Sequence, residues 1–139
     1  MAAIPVQPIF LNDVSVKIGT DTYEASLTTV RFEPTSNIVR WKGMSPASQY
    51  AFMSTPVYDG TLTFAQDWTT SNSLSQYLKT NQGKPVTIEF KPKKPATGTA
   101  ATVTATIIVA PGTIGGDIDT VATATIQVAV VGEPSVTIA

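Results

Sequence analysis

The chain contains no cysteine and no histidine. Without cysteine there is no disulfide framework and no thiol chemistry. Without histidine the Ser-His-Asp and Cys-His forms of nucleophilic catalysis are excluded, together with histidine metal sites. Charge is also scarce. Charged residues make up 14% of the 139 residues, against roughly 25% in ordinary soluble domains. The formal net charge is −1, so no basic excess points to nucleic acid and no basic amphipathic run to a membrane surface. No run of about 18 apolar residues is present, so no helix is expected to span a membrane. The N-terminus, "MAAIPVQPIF", lacks the positive start and long apolar stretch of a signal peptide, and the expectation is a protein made and used without secretion. The length suits one domain over residues 1–139, because a second would leave both too small for a core.

The missing charge is replaced by Thr, Ser and Ala, not by more apolar residues, which stand at 42%. A small uncharged polar surface is buried against another protein at low desolvation cost. The pattern is densest in "ATVTATIIVAPGTIGGDIDTVATATIQVAV", Ala101 to Val130. There threonine recurs at alternate positions, and between Lys94 and Glu133 only Asp117 and Asp119 carry charge.

Periodicity points to a mainly β domain, a sandwich or barrel with one short flanking helix. Residues 1–12 carry Pro5 and Pro8 among Ile4, Val6, Ile9, Phe10 and Leu11. This reads as an extended apolar arm that must lie on its own domain or on a neighbour. Val14, Val16 and Ile18 alternate as a strand, "GTD" turns the chain, and Tyr23 to Phe32 completes a hairpin that Pro34 stops. "NIVRWKG", Asn37 to Gly43, is a further short strand. Met44–Pro56 lacks strict alternation, has prolines at 46 and 56, and reads as a long inter-strand loop. It carries Tyr50, Phe52 and Met53, which either tuck onto the core or contact another subunit, since loops that merely connect are short and polar.

"TLTFAQDW" alternates as a strand after an Asp59-Gly60 turn signal. The period then becomes helical: Leu74, Tyr77 and Leu78 with a Ser73/Gln76 capping box and Gly83 as terminator predict a helix over about residues 73–82. Val86, Ile88 and Phe90 face one way in the next strand, and Thr87, Glu89 and Lys91 the other. Residues 92–99 read as a loop. Thr102, Thr104 and Thr106, then Thr123 and Thr125, alternate with Val, Ala and Ile in two strands about 33 Å long, joined at "PGTIGGD" into a long hairpin. Residues 132–139 form a C-terminal arm. The sum is about seven or eight strands and one helix.

Candidate chemistry is sparse. Ten carboxylates are scattered singly. A glycosidase pair needs a cleft, for which so regular a chain has few places, and an enzyme is not expected. Asp117 and Asp119 project to one side of an extended chain but fall short of the six or more oxygen ligands calcium takes. "KPKK" at 91–94 reads as a solvated loop. Trp41, Tyr50, Phe52, Tyr58 and Trp68 form no basic-aromatic stripe for stacking single strands. No cofactor or metal is implied.

The organisation itself is the stronger signal. The order of "DGTLTFAQDW", "SNSLSQYLKTNQGKPVTIEFKPK" and "ATVTATIIVAPGTIGGDIDTVATATIQVAVVGEPSVT" resembles that of the major tail protein, or tail tube protein, of long-tailed bacteriophages. The likeness is greatest to those of phages infecting actinobacteria and covers the chain from about residue 13 onward. No single motif is diagnostic; the order and the ending carry it.

The resemblance implies a virion tail protein whose subunits form hexameric rings, with sheets joined into a continuous inner β-barrel. The rings would stack into a hollow tube that delivers DNA. Its partners would be other copies of itself, a tape measure protein inside, and tail terminator and tail tip proteins at the ends. DNA would pass without specific binding, and no membrane is involved. The loop that reaches the next ring in this family matches Met44–Pro56, with Met44, Tyr50, Phe52 and Met53 as contacts. The terminal arms, with Ile4, Val6, Ile9 and Phe10, would join neighbouring subunits. Family members often line the lumen with acidic residues, whereas this chain is nearly neutral. Thr102, Thr104, Thr106, Thr123 and Thr125 are the lumen candidates: hydroxyls hold water, and Lys or Arg would hold phosphate. The alternative reading is a monomeric β-sandwich binding or adhesin module for carbohydrate, with the threonines on an ordinary solvent face.

Overall fold

The computed structural model describes residues 3–6, 8–11, 13–92 and 101–138. In chain order the elements among them are β1 Ser15–Ile18, β2 Asp21–Thr22, β3 Leu27–Thr35, β4 Ile38–Lys42, β5 Gln49–Met53, β6 Val57–Ala65, α1 Leu74–Thr80, β7 Pro85–Lys91, β8 Ala101–Ile108 and β9 Thr123–Ile138. Seven strands form one antiparallel sheet in the order β2-β1-β7-β8-β9-β6-β3, and β4 pairs with β5 in a separate ribbon. The fold is mainly β, as its Thr- and Val-rich alternation dictates.

One core serves the whole sheet. Val16 and Ile18 of β1, Ile88 of β7, Ala105 and Ile107 of β8, and Leu62 and Phe64 of β6 are buried together. Ala124, Ile126, Val128 and Val130 of β9 join them. These residues share one face of their strands, because side chains alternate with period two. A single sheet that encloses its own core must curl, and its two halves face each other as in a sandwich. Among the described residues the barrel stays open, since the edge strands β2 and β3 do not pair.

Helix α1 docks on this core through Leu74 and Leu78, both buried; their burial stabilises by roughly 3–6 kcal/mol. It is seven residues long, too short to persist alone. Ser73 caps it, accepting from the Gln76 amide at 3.5 Å. The Gln76 side chain does not complete the capping box, and its Nε2 donates instead to the Trp68 carbonyl at 2.6 Å. Gly83 follows with φ +77°, as expected of a helix terminator.

Several boundaries differ from the sequence expectations. The hairpin after "GTD" is only two residues deep, because the chain turns at residues 24–26 and Tyr23 leaves the sheet for the core. β3 then pairs with β6 at the far edge. Pro34 does not stop β3. An edge strand has one side free of ladder bonds, and there a missing N–H costs nothing. Asp59-Gly60 is not a turn but lies inside β6. A Cβ at Gly60 would meet Val128 Cγ2 at 2.9 Å and Phe32 Cε1 at 3.3 Å, so glycine is there for close packing.

The largest correction concerns the Thr-rich hairpin. β9 has 16 residues and serves two partners in turn. Its first half, Thr123 to Ala129, pairs with β6. Its second half, Ala129 to Ile138, pairs with β8. Residues 132–138 are therefore strand, not a free C-terminal arm. The register shifts between Thr104 and Thr106, opposite Val131 and Ser135, and Gly132 supplies a φ of +78° within that irregularity. Lys93, Lys94 and nearly all of the expected 92–99 loop lie outside the described residues.

Candidate interaction surfaces

Met44–Pro56 is not an irregular loop, since it contains β5. β5 has no strict alternation because both of its faces are largely apolar, and the flanking prolines bound it without interrupting it. β4 and β5 prolong the β3–β6 pair beyond the sheet as a two-stranded ribbon, with Ile38 opposite Met53, Val39 opposite Phe52, Arg40 opposite Ala51, Trp41 opposite Tyr50 and Lys42 opposite Gln49. At its base Ser54 N donates to the Asn37 carbonyl, and Asn37 N donates to Ser54 Oγ, both at 2.8 Å. At its tip Gly43 N donates to the Ser48 carbonyl at 2.8 Å.

All ten strand residues of the ribbon are exposed. Alternation sorts them into two faces. Val39, Trp41, Tyr50 and Phe52 form one, with Trp41, Tyr50 and Phe52 left 60%, 53% and 62% exposed. The Trp41 and Tyr50 rings lie 5.8 Å apart, tilted by 36°. The other face carries Ile38 and Met53 near the base, then Arg40, Ala51, Lys42 and Gln49. Of the residues expected as contacts, Tyr50 and Phe52 are thus together, Met53 is on the opposite face, and Met44 is at the exposed tip. None packs on the core of its own chain. Sequence reasoning missed Val39 and Trp41: the alternation in "IVRWK" puts these two on one face of β4, and the β4–β5 register joins that face to Tyr50 and Phe52.

The candidate lumen threonines all lie on the sheet face opposite the core. Thr102, Thr104 and Thr106 alternate with Val103, Ala105 and Ile107, of which Ala105 and Ile107 are buried. Thr123 and Thr125 are exposed beside buried Ala124 and Ile126. The two sets are staggered. Thr106 lies opposite Val131, so Thr125 is about 20 Å further along β9. Its cross-strand neighbour is Thr63 of β6, whose Oγ1 lies 3.1 Å from its own. Thr61, Thr87, Ser135 and Thr137 extend this hydroxyl face by pairing register. Asp59, Glu89, Lys91 and the exposed Arg31–Glu33 pair at 3.5 Å lie on flanking strands.

Ile4, Val6, Ile9 and Phe10 of the N-terminal arm are exposed. Leu11 borders a cleft of about 360 Å³ between β1, β7 and β3, floored by Val14, Val16, Leu27, Val30 and Phe90. Asp13 and Glu24 also line it. The regular strands thus leave a cleft where none was expected, at the open seam of the curled sheet.

Asp117 and Asp119 sit in the connection before β9, where the Asp117 carbonyl accepts from Thr120 Oγ1 at 2.7 Å. Among the described residues no group of three or more acidic side chains is placed to hold a metal ion. Gln66 pins the same connection, donating through Nε2 to the carbonyls of Gly115 and Thr123 and accepting from Gly115 N, all at 2.9 Å. Asp67 Oδ1 accepts from the amides of Thr69 and Thr70 and from Thr69 Oγ1. Hydrogen bonds from Thr70 and Thr69 hold its carboxyl below the usual range, at about 2. Comparison with protein-family models and with curated proteins finds no match to this chain.

Proposed function

We propose that this protein is a structural virion component that self-assembles into stacked, hexameric rings, forming the hollow tail tube of a long-tailed bacteriophage. The observation that carries the reading is the β4–β5 ribbon. An aromatic face exposed on a two-stranded arm is costly to leave in water and marks a surface that another molecule covers. Aromatic side chains dominate interface energetics once covered. The hydroxyl face supports the same reading. Its central strands, β8 and the first half of β9, bear no charge, and such a wall offers passing DNA no clamp for phosphate. The unpaired β3 and β2 edges support joining of sheets between subunits, which removes edges that otherwise aggregate.

The test is direct. Purified protein is concentrated and followed by sedimentation and negative-stain microscopy, with and without a tail-initiator complex. Rings or tubes are expected. Monomer under every condition overturns the reading. The exposed Trp41–Tyr50 pair favours one alternative, stacking on sugar rings by an adhesin module; glycan-array binding by a protein that stays monomeric would establish it instead.

A further inference from the structure

The ribbon and the cleft stand at opposite ends of one strand. β3 begins at Leu27, on the cleft floor, and ends at Thr35, where the ribbon takes over. From Val30 to Ile38 is about 27 Å of extended chain. All ten strand residues of the ribbon are exposed and none of them lines the cleft, so the ribbon does not fill the cleft of its own chain.

The two surfaces match chemically. The cleft is lined by the aliphatic side chains of Val14, Val16, Leu27 and Val30 together with the Phe90 ring, and the exposed Asp13 also borders it. Its volume of about 360 Å³ is at the small end of the range for binding pockets and has room for an aromatic side chain. Near its tip the ribbon carries Trp41 and Tyr50, one pair before Lys42 and Gln49, and bears two cations, Arg40 and Lys42, on its other face.

We propose that the cleft between β1, β7 and β3 is the socket for the ribbon of a second copy of this chain, with Trp41 seated on its apolar lining, Tyr50 covering its mouth, and Arg40 and Lys42 held at the rim near Asp13. This rests on the self-assembly reading and adds to it the acceptor site and the polarity. A knob at one end of a strand and its socket at the other make a heterologous, head-to-tail contact. Such a contact does not close on itself, and it propagates as an open column. The rim charges set which end meets which, since like charges facing each other disfavour the reverse docking.

The absence of native cysteine makes the test clean. Gln49→Cys, next to Tyr50 in sequence, is combined with Thr28→Cys, which lines the cleft. Assembled protein is treated with a short bismaleimide and run on a denaturing gel. A ladder of monomer multiples is expected from this pair. None is expected from Gln49→Cys with Thr125→Cys, on the opposite face of the sheet, or with Phe10→Cys, on the N-terminal arm. Tubes that ladder through Thr125 or Phe10 and not through Thr28 overturn the socket while leaving the tube reading intact. Absence of any polymer on microscopy overturns both.

Charge reversal gives a second readout. Arg40→Glu with Lys42→Glu should raise the concentration needed for assembly about tenfold. Adding Asp13→Lys to the same chain should bring it back to within about threefold. Failure of that restoration overturns the proposal, provided circular dichroism shows the monomers folded.

Discussion

Asp67 illustrates how much one exposed side chain organises. Its Oδ1 gathers the amides of Thr69 and Thr70, and its backbone carbonyl accepts from Ser73 Oγ at 2.5 Å, setting the cap of α1. Hydrogen bonds to the carboxylate, from the Thr70 side chain first and then the amides of Thr69 and Thr70, favour the charged form, and the carboxyl falls from its ordinary 3.8 to about 2. The sign follows from linkage. The turn contributes fully above about pH 3.8 and loses its contribution as the pH drops toward 2. Carboxyl NMR should give a midpoint near 2 for Asp67, moving upward in Thr70→Val. A midpoint near 4 would show that the turn is not formed in solution. Gly60 makes the opposite point, that a small residue is set by its neighbours. Gly60→Ala pushes a methyl against Val128 and Phe32 and should cost about 1–3 kcal/mol. Urea denaturation should show a lower midpoint at unchanged slope. A midpoint equal to wild type would mean that the two side chains move aside freely.

At the scale of the element, the ribbon is the part whose stability and role separate most cleanly. Among the described residues its strands pair only with one another. Tyr50→Ser with Phe52→Ser should therefore leave the thermal midpoint of the monomer within about 2 °C of wild type, since surface substitutions rarely exceed about 0.5 kcal/mol. Tube growth should stop. A large drop in midpoint would mean that these rings pack on the domain core in solution. α1 behaves differently. Leu78→Ala removes a fully buried side chain and should cost about 2–5 kcal/mol, read as loss of folded protein in the same assay.

For the whole molecule, the decisive property is what each face of the curled sheet meets. On the tube reading, the hydroxyl face with Thr104 and Thr125 looks into the channel. Thr104→Lys with Thr125→Lys should leave tubes intact but slow genome ejection, most strongly at low salt, because each phosphate contact strengthens binding and steepens its salt dependence. Ejection kinetics from reconstituted particles at two ionic strengths would measure it. Equal rates at low salt would place this face away from the DNA path.

Much of this architecture was legible in the chain, and the limits were physical. Period-two patterns in β1, β6, β7, β8 and β9 name the buried residues because burial of one face imposes that period locally. The cap at Ser73 and the stripe of Leu74 and Leu78 identify α1 for the same reason. Proline and glycine were poorer guides. Pro34 is tolerated because β3 happens to be an edge, and Gly60 is needed because Phe32 and Val128 converge on it. Neither fact is local. Strand partnership was the least legible of all. Alternation states which way a side chain points but not which neighbour the strand chooses, and β9 chooses two. Local pattern is enough to establish a mainly β chain, its buried and exposed parities, one capped helix and a surface poor in charge. Strand pairing and curl add that Trp41, Tyr50 and Phe52 share one face, that the two threonine sets are staggered, and that a cleft opens at the seam. Each of these depends on register and curvature, which are set by contacts between residues far apart in the chain.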